Sequence, residues 1–375
     1  MNPVKLRSET PRVYSIERLI ILAFIGSAIL WVPEFDPRKV NYAFGQIIFR
    51  VMEFRTAFVF LLFVMAIRQK RGYGRTLVLT ILVTLPIMTS GGAGFSQALI
   101  LFFIAFIAEG RILVSSAFFR RNSMVGMGTL ALASSLLLLA IVWNGAIKPV
   151  WREKIREGEV ALSMGSRLQQ FFVLAGEEVF RMDWKEGTRA TAKRTSDVPM
   201  MMGHVIDRVP SQIDHTSGKL VWNAVEHVTR PRFLFPNKRN LGSDSTLVRE
   251  YAGIAAAGAE SNTSIGLGYL IELYIDYGEW GMIVAAGFLG FVVGLGYRAI
   301  YLVCPSIELY YGVLSAIMLQ HFISLDGSLA KMLGGLIMAF IVMGSLMYFF
   351  GGAIDRFLIG PKGRSRSPRS RHLSI

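Results

Sequence analysis

Cysteine is all but missing from this sequence: Cys304 is the only one among 375 residues. A disulfide framework and any cysteine-based zinc site are thereby excluded, whatever redox compartment the loops face. Charge is scarce too, at 18% of residues, and only five histidines occur. His204, His215 and His227 stand 11 and 12 residues apart with no HExxH or paired-aspartate pattern beside them, so no metal site is expected. Neither a GxSxG elbow nor a Walker sequence is present, which leaves serine hydrolysis and nucleotide-driven pumping without a motif. No internal repeat is visible, which argues against a transporter built from inverted halves.

What the chain has in excess is apolar surface. Hydrophobic residues make up 53% of it, and its mean hydropathy of +0.46 lies above the range of soluble domains. About twenty apolar residues cross a bilayer core, and shorter runs do so with aromatic or basic flanks. By that rule the sequence predicts eight spans, near 17–33, 52–67, 76–90, 95–109, 124–143, 280–297, 307–324 and 331–350. The second and seventh carry the weakest apolar signal. The N-terminal run lacks a small-residue cleavage site and reads as a retained first span. Residues 262–278 hold Glu272 and Asp276 four apart on one helical face, which predicts an amphipathic helix at the outer surface or re-entering the membrane.

Charge then sets an orientation. The net charge is +14; with eight spans and a cytoplasmic start, inside segments total +13 and outside segments +1, as the positive-inside rule requires. The expected organisation is an N-terminal five-span bundle (1–143), an extracytoplasmic loop with its amphipathic helix (144–279), three C-terminal spans (280–354) and a basic cytoplasmic tail (355–375). The tail, GPKGRSRSPRSRHLSI, has low complexity and suits anionic lipid headgroups better than RNA, so the bilayer rather than nucleic acid is its expected partner.

A loop of about 119 residues on a membrane scaffold is far longer than a connection needs. In HVTRPRFLFPNKRNLGSDSTLVR (227–249), Arg230, Arg232, Lys238 and Arg239 surround an apolar FLF and the prolines Pro231 and Pro236. Guanidinium forks suit phosphate, so this arrangement points to a phosphate or pyrophosphate at the outer surface. The plainer reading is a solvated loop whose charges balance. Ionisable residues within or near spans should pair or line a wet cavity: Arg50, Glu53, Arg55, Glu272, Asp276, His321, Asp326 and Lys331. Glu272, in an otherwise apolar helix, is the best candidate there for a functional carboxylate.

The order of these features resembles a known family. A Gly-rich turn, SGGAG at 90–94, precedes a helix, a large external loop ending in RPRFLFPNK, and SIGLGYLIELYIDYGEWGM at 264–282. Over residues 76–350 this resembles the O-antigen polymerases, the Wzy-type oligosaccharide repeat unit polymerases, and more loosely the O-antigen ligases. Ile271, Glu272, Leu273, Tyr274, Tyr277, Gly278 and Gly281 carry the match; the turn has Ala93 where the resembled proteins often carry arginine. The resemblance implies an all-α polytopic protein of GT-C-like architecture in the bacterial inner membrane, with both termini cytoplasmic. It implies metal-independent glycosyl transfer between polyprenyl-pyrophosphate-linked oligosaccharides, with no cofactor, and a flippase and chain-length regulator of the same pathway as partners. In that reading Arg230, Arg232, Lys238 and Arg239 hold the pyrophosphate, Arg194 and Arg208 contribute from the loop's first half, and Glu272 or His227 takes the acceptor's proton. A glycan ligase would use the same donor site. A lipid-linked sugar flippase should instead place charges at mid-depth, which the interiors of 124–143, 280–297 and 331–350 lack.

Overall fold

The computed structural model describes residues 12–28, 42–89, 95–109, 123–160, 164–230, 235, 244–256, 258, 265–322 and 327–363. Regular structure among them is entirely helical. The longer elements are α1 (Ile16–Ala28), α2 (Tyr42–Gln69), α3 (Tyr73–Thr89), α4 (Phe95–Ala108), α5 (Ser123–Val142), α6 (Lys148–Glu157), α7 (Met164–Arg181), α8 (Trp184–Arg208), α9 (Lys219–Thr229), α10 (Tyr269–Val303), α11 (Ile307–His321) and α12 (Leu329–Gly363).

Every residue of α2 from Ala57 to Ile67 is buried. A helix apolar on all sides belongs at the centre of a bundle, and α1, α3, α4, α11 and α12 all pack against this one. Its weak span signal has a local cause: Arg50, Glu53 and Arg55 sit in its first half, and its burial is against protein rather than lipid. Three helices are long and apolar enough to cross a membrane, Leu130–Ile155, Tyr269–Val303 and Leu329–Ile359. Beyond Gly278, α10 turns Ile283, Val284, Phe288 and Phe291 outward. Such a face suits lipid tails and not water, and it marks a membrane-associated chain. The other five expected spans are helical over their described residues except at Glu109 and Phe322, just past the ends of α4 and α11.

Two boundaries differ from expectation. The division at 143/144 falls inside a continuous helix: α5 passes through a π-helical turn, Trp143–Ile147, into α6 and ends only at the left-handed Gly158. The turn brings Gly145 against Gly187 of α8, so close that a Cβ at 145 would lie 2.4 Å from the Gly187 Cα; small residues let the two backbones meet. Nor do the described residues of 262–278, from Ile265 on, form a surface helix. From Tyr269 to Asp276 seven of eight residues are buried, because the segment packs inside the protein.

Paired charges gather at one end of the bundle. Arg68 bridges Glu109 at 2.8 Å and Glu308 at 3.0 Å, and Glu308 also accepts the Arg12 backbone N–H. The Arg12 guanidinium pairs with Asp355. Tyr14 donates to Asp355 at 2.7 Å and shares a 2.5 Å hydrogen bond with Ser306, the N-cap of α11. Five segments distant in sequence are thus joined. Arg50, at the other end of α2, is 18 residues from Arg68, or about 27 Å along a helix, close to the roughly 30 Å of a hydrocarbon core.

Candidate functional site

The second end of the bundle is organised by IELYIDYG (271–278). Gly278 (φ +69°, ψ −170°) breaks α10, a conformation glycine adopts without strain. The break frees carbonyls that the next turn would otherwise have paired. One of them, Ile275 O, accepts the Thr216 N–H at 3.1 Å and the His215 Nδ1–H at 3.2 Å. His215 also lies edge-on against Tyr274, whose hydroxyl donates to Val209 O at 3.0 Å.

Asp276 caps a neighbouring helix. α9 begins at Gly218, which has no side chain to cap it. Instead the Asp276 carboxylate accepts Leu220 N–H at 3.0 Å, Val221 N–H at 2.7 Å and the Thr216 hydroxyl. Negative charge there also suits the helix dipole. Asp276→Ala should therefore lower stability by about 2 kcal/mol, read as an earlier unfolding midpoint in detergent; an unchanged midpoint would remove this capping role.

Glu272 does the same for α12. It is 3% exposed, and Oε1 accepts the Leu329 N–H at 3.3 Å, at that helix's first turn. Two residues on, Lys331 pairs with Asp244 at 2.5 Å. Further along α12, Gly334 sits under Val228 of α9, while Gly335 lies against the His321 ring; a Cβ at 335 would come within 2.5 Å of it. His321 in turn meets Arg50 Nη1 at 3.0 Å, and that nitrogen donates to Glu53 Oε1 at 2.5 Å. The contact chain Val228–Gly334–Gly335–His321–Arg50–Glu53 thus runs through four helices.

The expected site residues separate as follows. Glu272 lies in this end cluster, and His227, half-buried in the last turn of α9, adjoins it through Val228. Arg230, the residue after that helix, pairs with Glu226 at 2.6 Å with more than half of its side chain exposed, a pairing too weak to hold it from a ligand. Arg208 ends α8, one residue before the Val209 carbonyl that receives the Tyr274 hydroxyl; it lies against Gly253, where a Cβ would collide with Nη1, and among the described residues its buried Nε has no partner. Beside it, burial and the Glu250 carboxylate push the Tyr251 hydroxyl up to about 12. Arg194 belongs to α8. Arg232, Lys238, Arg239, Asp326 and the turn at 90–94 lie outside the described residues. Sequence alone did not join Arg50 and Glu53 to His321. Their only shared signal was an ionisable group in an apolar setting, a pattern that names members but not partners.

Among the described residues, no group of three or more His, Cys, Asp or Glu is placed to hold a metal. No curated protein and no solved structure matches this chain. A family model described as Domain of unknown function (DUF8712) matches residues 12–319, which takes in α1 to α10 and nearly all of α11. Both polar ends therefore fall largely within the matched region, and the chain belongs to the DUF8712 family.

Proposed function

We propose that this chain crosses a bacterial inner membrane eight times with both termini cytoplasmic. In this reading it polymerises polyprenyl-pyrophosphate-linked oligosaccharide repeat units at the outer face, as the O-antigen polymerases it resembles do. The observation that carries the reading is the hub role of IELYIDYG. The segment most like those enzymes brings Glu272, the α9 turn with His227 and Arg230, and the buried Arg50–His321 pair to one end of the bundle. The buried, bridged charges at the other end disfavour a path for exported sugar.

In the reaction an acceptor hydroxyl oxygen bonds to the donor's anomeric carbon. The bond from that carbon to the pyrophosphate oxygen breaks, and the polyprenyl pyrophosphate leaves with the electron pair. Arg230, Arg232, Lys238 and Arg239 neutralise the leaving charge, with Arg208 and Arg194 contributing from the loop; preorganised charge of this kind supplies most of the rate enhancement in many enzymes. His227 takes the acceptor's proton. It is the more open of the two proton acceptors, since Glu272 is enclosed and bound to the start of α12. Glu272 is thereby a positioning residue, and Glu272→Gln, which keeps an oxygen for the Leu329 N–H, should retain most activity.

Arg232→Ala tests the cationic loop. In a polymerase-deficient strain complemented with this chain, the variant should shorten or abolish the polymer at normal protein level. Wild-type polymer would remove Arg232 from the mechanism.

A further inference from the structure

Arg50 serves two partners through one nitrogen. Nη1 donates to Glu53 Oε1 at 2.5 Å and to His321 Nε2 at 3.0 Å, joining residues 271 apart in sequence. Arginine offers only donors, so Nε2 is the accepting nitrogen and a neutral ring carries its proton on Nδ1. Gly335 leaves room for the ring, since any side chain at that position would strike it. His321 therefore fixes where the guanidinium points.

Two atoms of this arrangement are left over. Among the described residues, Arg50 Nε and Glu53 Oε2 are both buried without a hydrogen-bond partner. Unpaired buried polar atoms forfeit their hydration with nothing in return, and native proteins keep few of them. One is a donor and the other a charged acceptor, on two halves of a single ion pair. A phosphate would be repelled by the Glu53 charge, and the pyrophosphate diester of a lipid-linked sugar has no proton to offer that carboxylate. A hydroxyl both accepts and donates, so it answers both atoms.

We propose that the Arg50–Glu53 pair, held in place by His321, is a subsite for a carbohydrate hydroxyl, which accepts from Arg50 Nε–H and donates to Glu53 Oε2. That the hydroxyl belongs to a glycan rests on the proposed polymerase function; the donor–acceptor pair does not. The subsite adjoins the contact of Gly334 with Val228, the residue after His227, and so lies at the proton-accepting side of the reaction. It is distinct from the loop cations assigned to pyrophosphate.

The test uses the full chain in lipid nanodiscs and two probes: polyprenyl-pyrophosphate-linked oligosaccharide extracted from the source cells, and polyprenyl pyrophosphate without glycan. Glu53→Gln puts an amide donor where Oε2 accepts, and Arg50→Lys keeps the charge but removes Nε–H. Each should weaken binding of the glycan-bearing probe about tenfold to a hundredfold, the loss expected for a hydrogen bond to a charged group. Binding of the glycan-free probe should stay unchanged. Variants that bind the glycan probe as the wild type does would show that the two atoms hold no more than an internal water, overturning the subsite alone. Equal loss with both probes would overturn it in favour of a phosphate or purely structural role. A wild type that binds neither probe would overturn the polymerase function with it.

Discussion

Replacing His227 by alanine is expected to lower polymer formation about 10²- to 10⁴-fold, the range a positioned general base contributes. The protein level should hold, because His227 lies in the last turn of α9 and is half-buried. The fixed end of that helix is the other one, where Asp276 holds Leu220 and Val221. Truncating His227 opens no core cavity and leaves Val228 on Gly334 in place. Incorporation of labelled repeat units in membranes, normalised to the amount of chain present, checks this. An activity within about threefold of wild type would take His227 out of the proton transfer and return Glu272 to that role.

The largest expected effect on stability lies at the opposite end. Arg68→Met should destabilise the chain by about 3–5 kcal/mol, the cost of breaking a buried ion pair by removing one partner. Arg68 bridges Glu109 and Glu308, whose side chains are 7% and 1% exposed. Without it two buried carboxylates lose their shared cation, and among the described residues Glu308 already has one oxygen without a partner. Replacing the carboxylate as well, in Arg68→Met with Glu308→Gln, should recover part of the loss, since it removes the uncompensated charge. The unfolding midpoint of each variant in detergent checks the pair. If Arg68→Met melted as wild type does, the network would be ornamental and the two polar ends would not brace the bundle.

Much of the helical plan is legible in the sequence because a span needs only length and hydropathy. The runs at 280–297 and 331–350 fall inside two of the three long apolar helices, and 124–143 overlaps the third, Leu130–Ile155. Hydropathy does not report what an apolar residue touches. The residues of α2 and those of α10 beyond Gly278 look alike in composition, yet α2 is the protein's buried centre and α10 its most outward-facing long helix. Charge spacing misled in a related way. Glu272 and Asp276 on one face read as the wet side of an amphipathic helix at the surface or re-entering the membrane, but each carboxylate caps the start of another helix. Such a role depends on partners 50 to 60 residues away, which no local pattern encodes. The same holds for Arg50 and His321, whose meeting follows from how α2, α11 and α12 pack.

The proposed function is a reaction, and the most direct measurement is that reaction in isolation. The purified full chain, reconstituted in liposomes, would be given lipid-linked oligosaccharide repeat units as the sole substrate, with products resolved by gel and mass spectrometry. A ladder of products spaced by one repeat unit, with one polyprenyl pyrophosphate released for each new glycosidic bond, is the predicted result. Repeat units recovered unchanged from a folded, correctly oriented protein would contradict it.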